Sequence, residues 1–168
     1  MAEIKTKSAE KKEKGKQARV VIGQTKRRVH FGGKENIFDW KFIVRMTPLE
    51  KVAMASQKIS KTQLEKLKKS TGLDYTTLST ILSVARATLI NKKGTAKFDE
   101  AQSERILALA DIYAYGYEVF EDKEKFNHWI SEPNKALGGQ RPLELLNTQF
   151  GREEVKRLIG RIDYGIYS

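Results

Sequence analysis

Residues 126–168 read FNHWISEPNKALGGQRPLELLNTQFGREEVKRLIGRIDYGIYS, and the spacing of this stretch sets the architecture. Phe126, Trp129 and Ile130 form an i, i+3, i+4 stripe, the mark of an amphipathic helix, and Pro133 stops it. Gly138-Gly139 supplies a turn, and Pro142 opens a short helix carrying Leu143, Leu145 and Leu146. In the last helix Val155, Leu158, Ile159 and Ile162 share one face. Glu153 and Glu154 lie at its start and Arg157 and Arg161 near its end, the order the helix dipole favours. Tyr164-Gly165-Ile166-Tyr167-Ser168 follows as a short apolar tail. Such a tail either packs back on its own module or serves as an anchor in a partner's pocket, where tyrosine is enriched. The residues alone leave both readings open.

Working back along the chain, the pattern stays helical. Asp99 and Gln102 form a cap-and-return pair for a long helix with Ile106, Leu109, Ala110, Tyr113, Tyr117 and Phe120 on one stripe. Thr47-Pro48-Leu49-Glu50 offers an N-cap, a proline at the first helical position and a capping-box glutamate, with Leu49, Val52 and Ala53 on one face of the helix that follows. Ser60-Lys61-Thr62-Gln63 repeats that capping logic for a helix carrying Leu64 and Leu67, which Gly72 ends. Asp74 caps a third helix with Tyr75, Leu78, Ile81 and Leu82 inward, and a fourth runs from about Arg86 to Lys93 with Leu89 inward.

The third and fourth of these helices fit a helix-turn-helix. In Leu78 to Leu89, Ser79 lets the two helices cross closely, Ser83 takes the turn position usually given to glycine, and Val84 and Leu89 lock the second helix onto the first. Two departures stand out: Ser83 is not glycine, and Ala85 cannot cap the second helix as Ser or Thr would. On that second helix Arg86 and Asn91 can make bidentate contacts with base edges, while Thr88, Lys92 and Lys93 suit phosphates.

Charge supports a polyanion partner at one end. Residues 1–45 carry 13 Lys/Arg against 5 Asp/Glu, residues 46–93 carry 9 against 3, and residues 94–168 carry 10 against 13. The first 18 residues are Lys/Glu/Gly-rich with almost no large apolar side chain and are expected to be disordered. Phe38, Trp40, Phe42 and Val44 alternate with Asp39, Lys41 and Arg45, with Ile43 as the exception, which predicts a short strand or extended arm. The chain is therefore expected to be all-α, with a basic, partly extended arm (1–45), a helix-turn-helix domain (46–122) and a helical module (123–168).

Absences narrow the class. There is no cysteine, hence no disulfide frame and no thiolate metal site. No apolar run approaches the roughly 18 residues needed to cross a bilayer. His30 and His128, the only histidines, have no cluster of ligand spacing around them. The adjacent pairs Glu121-Asp122 and Glu153-Glu154 face different ways on a helix, and Gly138-Gly139 lacks a phosphate-cradle fingerprint. The expectation is a cytoplasmic, non-enzymatic protein without cofactor or metal.

A resemblance sharpens this. The run Phe126-x-x-Trp129, Pro133-Asn134-x-Ala136-Leu137-Gly138-Gly139-x-Arg141-Pro142-Leu143-x-Leu145-Leu146, continued by Thr148, Gly151, Val155, Arg161-Ile162 and Tyr164–Ser168, resembles the toxin-binding domain of the Xre/MbcA/ParS antitoxin family. Residues from about 59 to 120 are more loosely similar to the helix-turn-helix region of the same proteins. The resemblance implies a type II antitoxin of a prokaryote that neutralises an NAD⁺-consuming RES-domain toxin by direct contact. It also implies that the terminal segment blocks the toxin's active site and that the helix-turn-helix represses the shared operon. Carried over, Arg161, Tyr164, Ile166, Tyr167 and Ser168 become the blocking residues, while Trp129, Asn134, Arg141 and the Gly138-Gly139 turn shape the module. The implied partners are the toxin, operator DNA (a nucleoid association when bound) and a second copy, in a homodimer or a toxin-bridged hetero-oligomer. The rival reading is a free-standing helix-turn-helix regulator that uses the terminal module to dimerise.

Overall fold

Short polar side chains at helix starts set most of the boundaries. The computed structural model describes residues 40–165, and among them the regular elements are all helical. They are α1 (Trp40–Val44), α2 (Pro48–Ser56), α3 (Lys61–Thr71), α4 (Tyr75–Leu82), α5 (Arg86–Asn91), α6 (Glu100–Phe120), α7 (Lys123–Ser131), α8 (Pro142–Leu145) and α9 (Gln149–Asp163). A 3-10 turn, Lys135–Leu137, lies between α7 and α8. Thr47, Ser60 and Asp99 each close a reciprocal capping box, with Glu50, Gln63 and Gln102 returning the bond as their spacing predicts. Asp74, Asp122 and Thr148 cap α4, α7 and α9. Each cap satisfies backbone N–H groups that a helix start leaves without an intrahelical acceptor.

The 21-residue α6 is the central rod, about 31 Å long at 1.5 Å per residue. Ile106, Leu109, Ala110, Tyr113 and Tyr117 are buried as predicted, but so are Leu107, Ile112, Ala114 and Gly116, because α1 and α2 pack on one side and α7 and α9 on others. Ser103, also buried in α6, accepts the Ile59 N–H at 2.8 Å and so ties the α2–α3 connection to the rod. The segment after α5 folds back over the start of α3. Lys61 and Thr62 donate their N–H groups to the carbonyls of Ala96 (2.9 Å) and Gly94 (3.0 Å), and Phe98 N–H donates to Ile59 O (2.8 Å). The first turn of α3 thereby finds acceptors outside its own helix.

Two expectations are corrected. Trp40–Val44 is helical, not extended. Ile43, the exception to the alternation, is 2 % exposed while Phe42 faces solvent, so the residue the alternation leaves out is the one that α1 buries as it packs on α6. In α2, Met54 and Ala55 are the buried residues, whereas Leu49 and Val52 are 55 % and 62 % exposed, so the predicted Leu49–Val52–Ala53 face is not the packed one. The expectations for residues 1–39 lie outside the described residues.

Asp111, halfway along α6, joins three helices. Its two oxygens accept from Lys51 of α2 (2.5 Å) and Lys156 of α9 (2.7 Å), with only 14 % of its side chain exposed. Burial alone would raise its pKa, but the hydrogen bonds from Lys156 and Lys51 outweigh that and hold the carboxyl below its ordinary value. A depressed carboxyl contributes stability above its unfolded pKa of about 3.9, which is lost as pH falls through the lower folded value. Asp111→Asn is therefore expected to lose roughly 1–3 kcal/mol at neutral pH and to melt with a weaker dependence on pH below about 4. Thermal melts of both proteins across the acid range check this; parallel acid profiles would contradict it.

Candidate functional site

Two surfaces carry the predicted site residues. The first is the α4–α5 pair. Ser83 adopts the left-handed conformation (φ 50°, ψ 46°) at the turn, a region that residues other than glycine seldom occupy, asparagine and aspartate more often than most. Ser83 N–H donates to Thr80 O and Val84 N–H to Ser79 O, and Arg105 of α6 donates to Leu82 O at 3.1 Å, closing the end of α4. Val84 and Leu89 are buried as the helix-turn-helix spacing predicts. Ala85 stands at the N-cap of α5 without a side-chain bond.

A buried ammonium holds this pair in place. Lys61 Nζ donates to the Leu89 carbonyl and, at 2.5 Å, to the Tyr75 hydroxyl, and pairs with Glu65 at 2.5 Å. Tyr75 in turn donates to Glu65. Burial works against the Lys61 charge, yet its hydrogen bonds with Glu65 and Tyr75 outweigh that and raise its pKa. One side chain thus links α3, α4 and α5. Nothing in the sequence signals it, since a lysine at the first position of a helix reads as solvated surface.

Around α5, Arg86, Asn91 and Lys93 are exposed and Thr88 and Lys92 are half-buried, Lys92 lying 5.3 Å from the Phe98 ring. The five residues belong to one short helix and its end, all at least partly open to solvent. Ile90, which the polar reading of this surface leaves without a role, is 43 % exposed beside them.

The second surface is built on an aromatic cluster. Phe126 of α7, fully buried, lies edge-on to Tyr113 and Tyr117 (centroids 5.4 and 5.6 Å) and stacks on Trp129 at 5.8 Å. Its ring rests directly on the α6 backbone: a Cβ on Gly116 would stand 2.1 Å from Phe126 Cε2. Burial pushes the Tyr117 phenol up to about 12, and its hydroxyl donates to Ser70 O at 2.9 Å. After α7, Asn134 closes the Pro133–Arg141 loop. Its side chain accepts from Ala136 N–H, its carbonyl accepts from Gly139 N–H, and its own N–H donates to Gln140 O. Gly138 and Gly139 both have positive φ (66° and 86°), which only glycine adopts freely.

Pro142 then starts α8, which lies against α9 so closely that a Cβ on Gly151 would be 1.9 Å from the Leu145 carbonyl oxygen. Gly151, Val155, Leu158 and Ile159 form the buried face of α9, with Ile162 only half-buried. Of the predicted blocking residues, Arg161 is half-buried and Tyr164, at the helix end, is 81 % exposed. Ile166, Tyr167 and Ser168 lie outside the described residues. Among the described residues no group of three or more His, Cys, Asp or Glu could hold a metal, and no helix is long and apolar enough to cross a membrane. His128 is exposed, 3.8 Å from Glu132 just past the end of its helix.

A helix-turn-helix joined through one long helix to a small aromatic-cored helical module defines a class. Residues 51–111 match the family model of the antitoxin Xre-like helix-turn-helix domain, and residues 116–165 that of the antitoxin Xre/MbcA/ParS C-terminal toxin-binding domain. The two matches take in nearly all the described residues, and the chain belongs to the Xre/MbcA/ParS antitoxin family. Over 142 residues it is 25 % identical to a Prs ADP-ribosylating antitoxin of Sphingobium sp., covering 78 % of this chain and 89 % of that protein. It is 36 % identical over 76 residues to the antitoxin Xre of Photorhabdus laumondii (45 % of this chain, 51 % of the relative) and 38 % over 73 residues to that of Yersinia enterocolitica (43 % and 49 %). The chain thus spans about half the length of these Xre relatives.

Proposed function

We propose that this protein is the antitoxin of a type II pair whose partner is an NAD⁺-consuming, RES-domain toxin, and that its C-terminal segment blocks the toxin's active site. The observation that carries this reading is Tyr164, an aromatic side chain 81 % exposed at the end of α9, inside the stretch matched to a toxin-binding domain. Tyrosine is enriched among the residues that dominate binding energy, which suits this side chain to anchoring in a partner's pocket. Arg161, Ile166, Tyr167 and Ser168 act with it. The Sphingobium relative's name speaks of ADP-ribosylation of Prs, and ADP-ribosylation takes its ADP-ribose from NAD⁺. An NAD⁺-binding cleft is therefore the pocket this reading requires. The division into an arm (1–45), a helix-turn-helix domain (46–122) and a toxin-binding domain (123–168) belongs to the same reading, as does action in the cytoplasm. The test is whether a toxin-sized reading frame adjoins this gene, followed by co-expression with its product: growth is expected to be restored and the two proteins to copurify, whereas the lack of such a frame, or persistent NAD⁺ loss with no complex, overturns it.

The same protein reads operator DNA through α5, with Arg86 and Asn91 toward base edges and Thr88, Lys92 and Lys93 toward phosphates. What supports this is the exposure of Arg86, Asn91 and Lys93, with Thr88 and Lys92 half-buried beside them, on a pair matched to an Xre-like helix-turn-helix domain within a strongly basic stretch. Binding as a homodimer or a toxin-bridged assembly pairs half-sites about one helical turn apart. Arg86→Ala is expected to weaken operator binding by roughly 1–3 kcal/mol while leaving non-specific affinity nearly unchanged. Gel shifts on operator and scrambled DNA measure both, and the complex should weaken steeply with salt. Equal losses on both DNAs would remove Arg86 from base reading.

A further inference from the structure

Phe150 is as exposed as Tyr164, 82 % against 81 %, and the two lie at opposite ends of the same helix. At 100° per residue, fourteen positions bring them to within about 40° of each other around α9, roughly 21 Å apart along its axis. The intervening residues on that side are Glu153, Glu154, Arg157 and Arg161, with Arg157 and Glu154 paired at 2.5 Å. The opposite face, Gly151, Val155, Leu158 and Ile159, is the one buried in the protein. The outer face of α9 is thus a charged strip with an aromatic ring at each end. Phe150 has no polar atom to repay its exposure, and the Thr148 cap fixes the first turn of α9 that carries it.

We infer that Phe150 is a second toxin anchor, docking in an apolar socket on the toxin surface outside the active-site cleft. This rests on the proposed blocking role of the C-terminal segment and extends it along the helix. The toxin is the occupant because the strip is continuous with Tyr164 and both rings fall within residues 116–165, the stretch matched to a toxin-binding domain. The acidic pair Glu153-Glu154 beside Phe150 speaks against DNA on this face. The arrangement divides the work: Tyr164 and the residues after it occlude the cleft, and Phe150 supplies affinity without touching it.

The test uses the full chain and a purified RES-domain toxin that it neutralises, measuring affinity, NAD⁺ consumption and melting temperature for Phe150→Ala, Phe150→Leu and Tyr164→Ala. Phe150→Ala is expected to weaken toxin binding at least about tenfold, with an unchanged melting temperature and full inhibition once antitoxin is in excess. Phe150→Leu is expected to recover most of the affinity. If Phe150→Ala binds like the parent while Tyr164→Ala does not, the second anchor is refuted and the blocking role stands. If neither matters, both fail. If Phe150→Ala instead abolishes self-association of the antitoxin and leaves toxin affinity intact, the strip faces a second copy and the inference is overturned.

Discussion

Gly151→Ala is expected to lower stability by about 3 kcal/mol, the upper part of the range for overpacking, because the atom it meets is backbone. The new methyl carbon would sit 1.9 Å from the Leu145 carbonyl oxygen and 2.8 Å from its carbon. Neither can rotate away, so α8 and α9 must separate, and with them the packing of Leu146 and Val155, both fully buried. For a chain of this size the melting temperature should fall by roughly 6–12 °C. Toxin neutralisation should weaken as well, since the module that presents Tyr164 is loosened. Gly160→Ala is the control. There the nearest atom is the Tyr115 hydroxyl at 3.3 Å, the movable end of a side chain, and alanine gains about 1 kcal/mol of helix propensity. A Gly151→Ala protein that melts no lower than the parent would show that α8 does not press on α9.

Deleting residues 164–168 should have the opposite signature. Tyr164 and Gly165 are exposed, so their removal strips no core contact, and the melting temperature should stay within a degree or two. Affinity for the toxin should nevertheless fall at least about 30-fold, the equivalent of the 2 kcal/mol that marks a binding hot spot. Cells expressing the toxin should no longer be rescued. Paired measurements of melting and growth separate this outcome from misfolding, and a truncated chain that still protects cells would mean the segment is not the plug.

How much of this was legible in advance follows from how local each signal is. The capping boxes at Thr47, Ser60 and Asp99 and the Asp74, Pro133 and Pro142 boundaries read directly, because a cap needs only residues three positions apart. The helix-turn-helix read through as well, despite Ser83 in the glycine position, since the burial pattern of Leu78, Val84 and Leu89 outweighs one strained residue. What failed were decisions taken by packing. Trp40–Val44 alternates like a strand, yet α6 offers a surface that a helix burying Ile43 fits. Leu49 and Val52 look like a core face but stay in water, because α2 presents Met54 and Ala55 inward instead. The candidate sites divide in the same way. The exposed positions of Arg86 and Tyr164 followed from the helix-turn-helix spacing and from the end of the last helix, whereas Lys61 beneath α5 and the close approaches at Gly116 and Gly151 depend on partners 10 to 28 residues away or on another helix's backbone.

A photo-crosslinking residue placed at position 164 of the full chain, irradiated in the complex and mapped by mass spectrometry, tests the blocking role most directly. Crosslinks to the residues lining the toxin's NAD⁺-binding cleft are the expected result. Crosslinks confined to the antitoxin's own helices, in a complex that still forms and still inhibits, would contradict it.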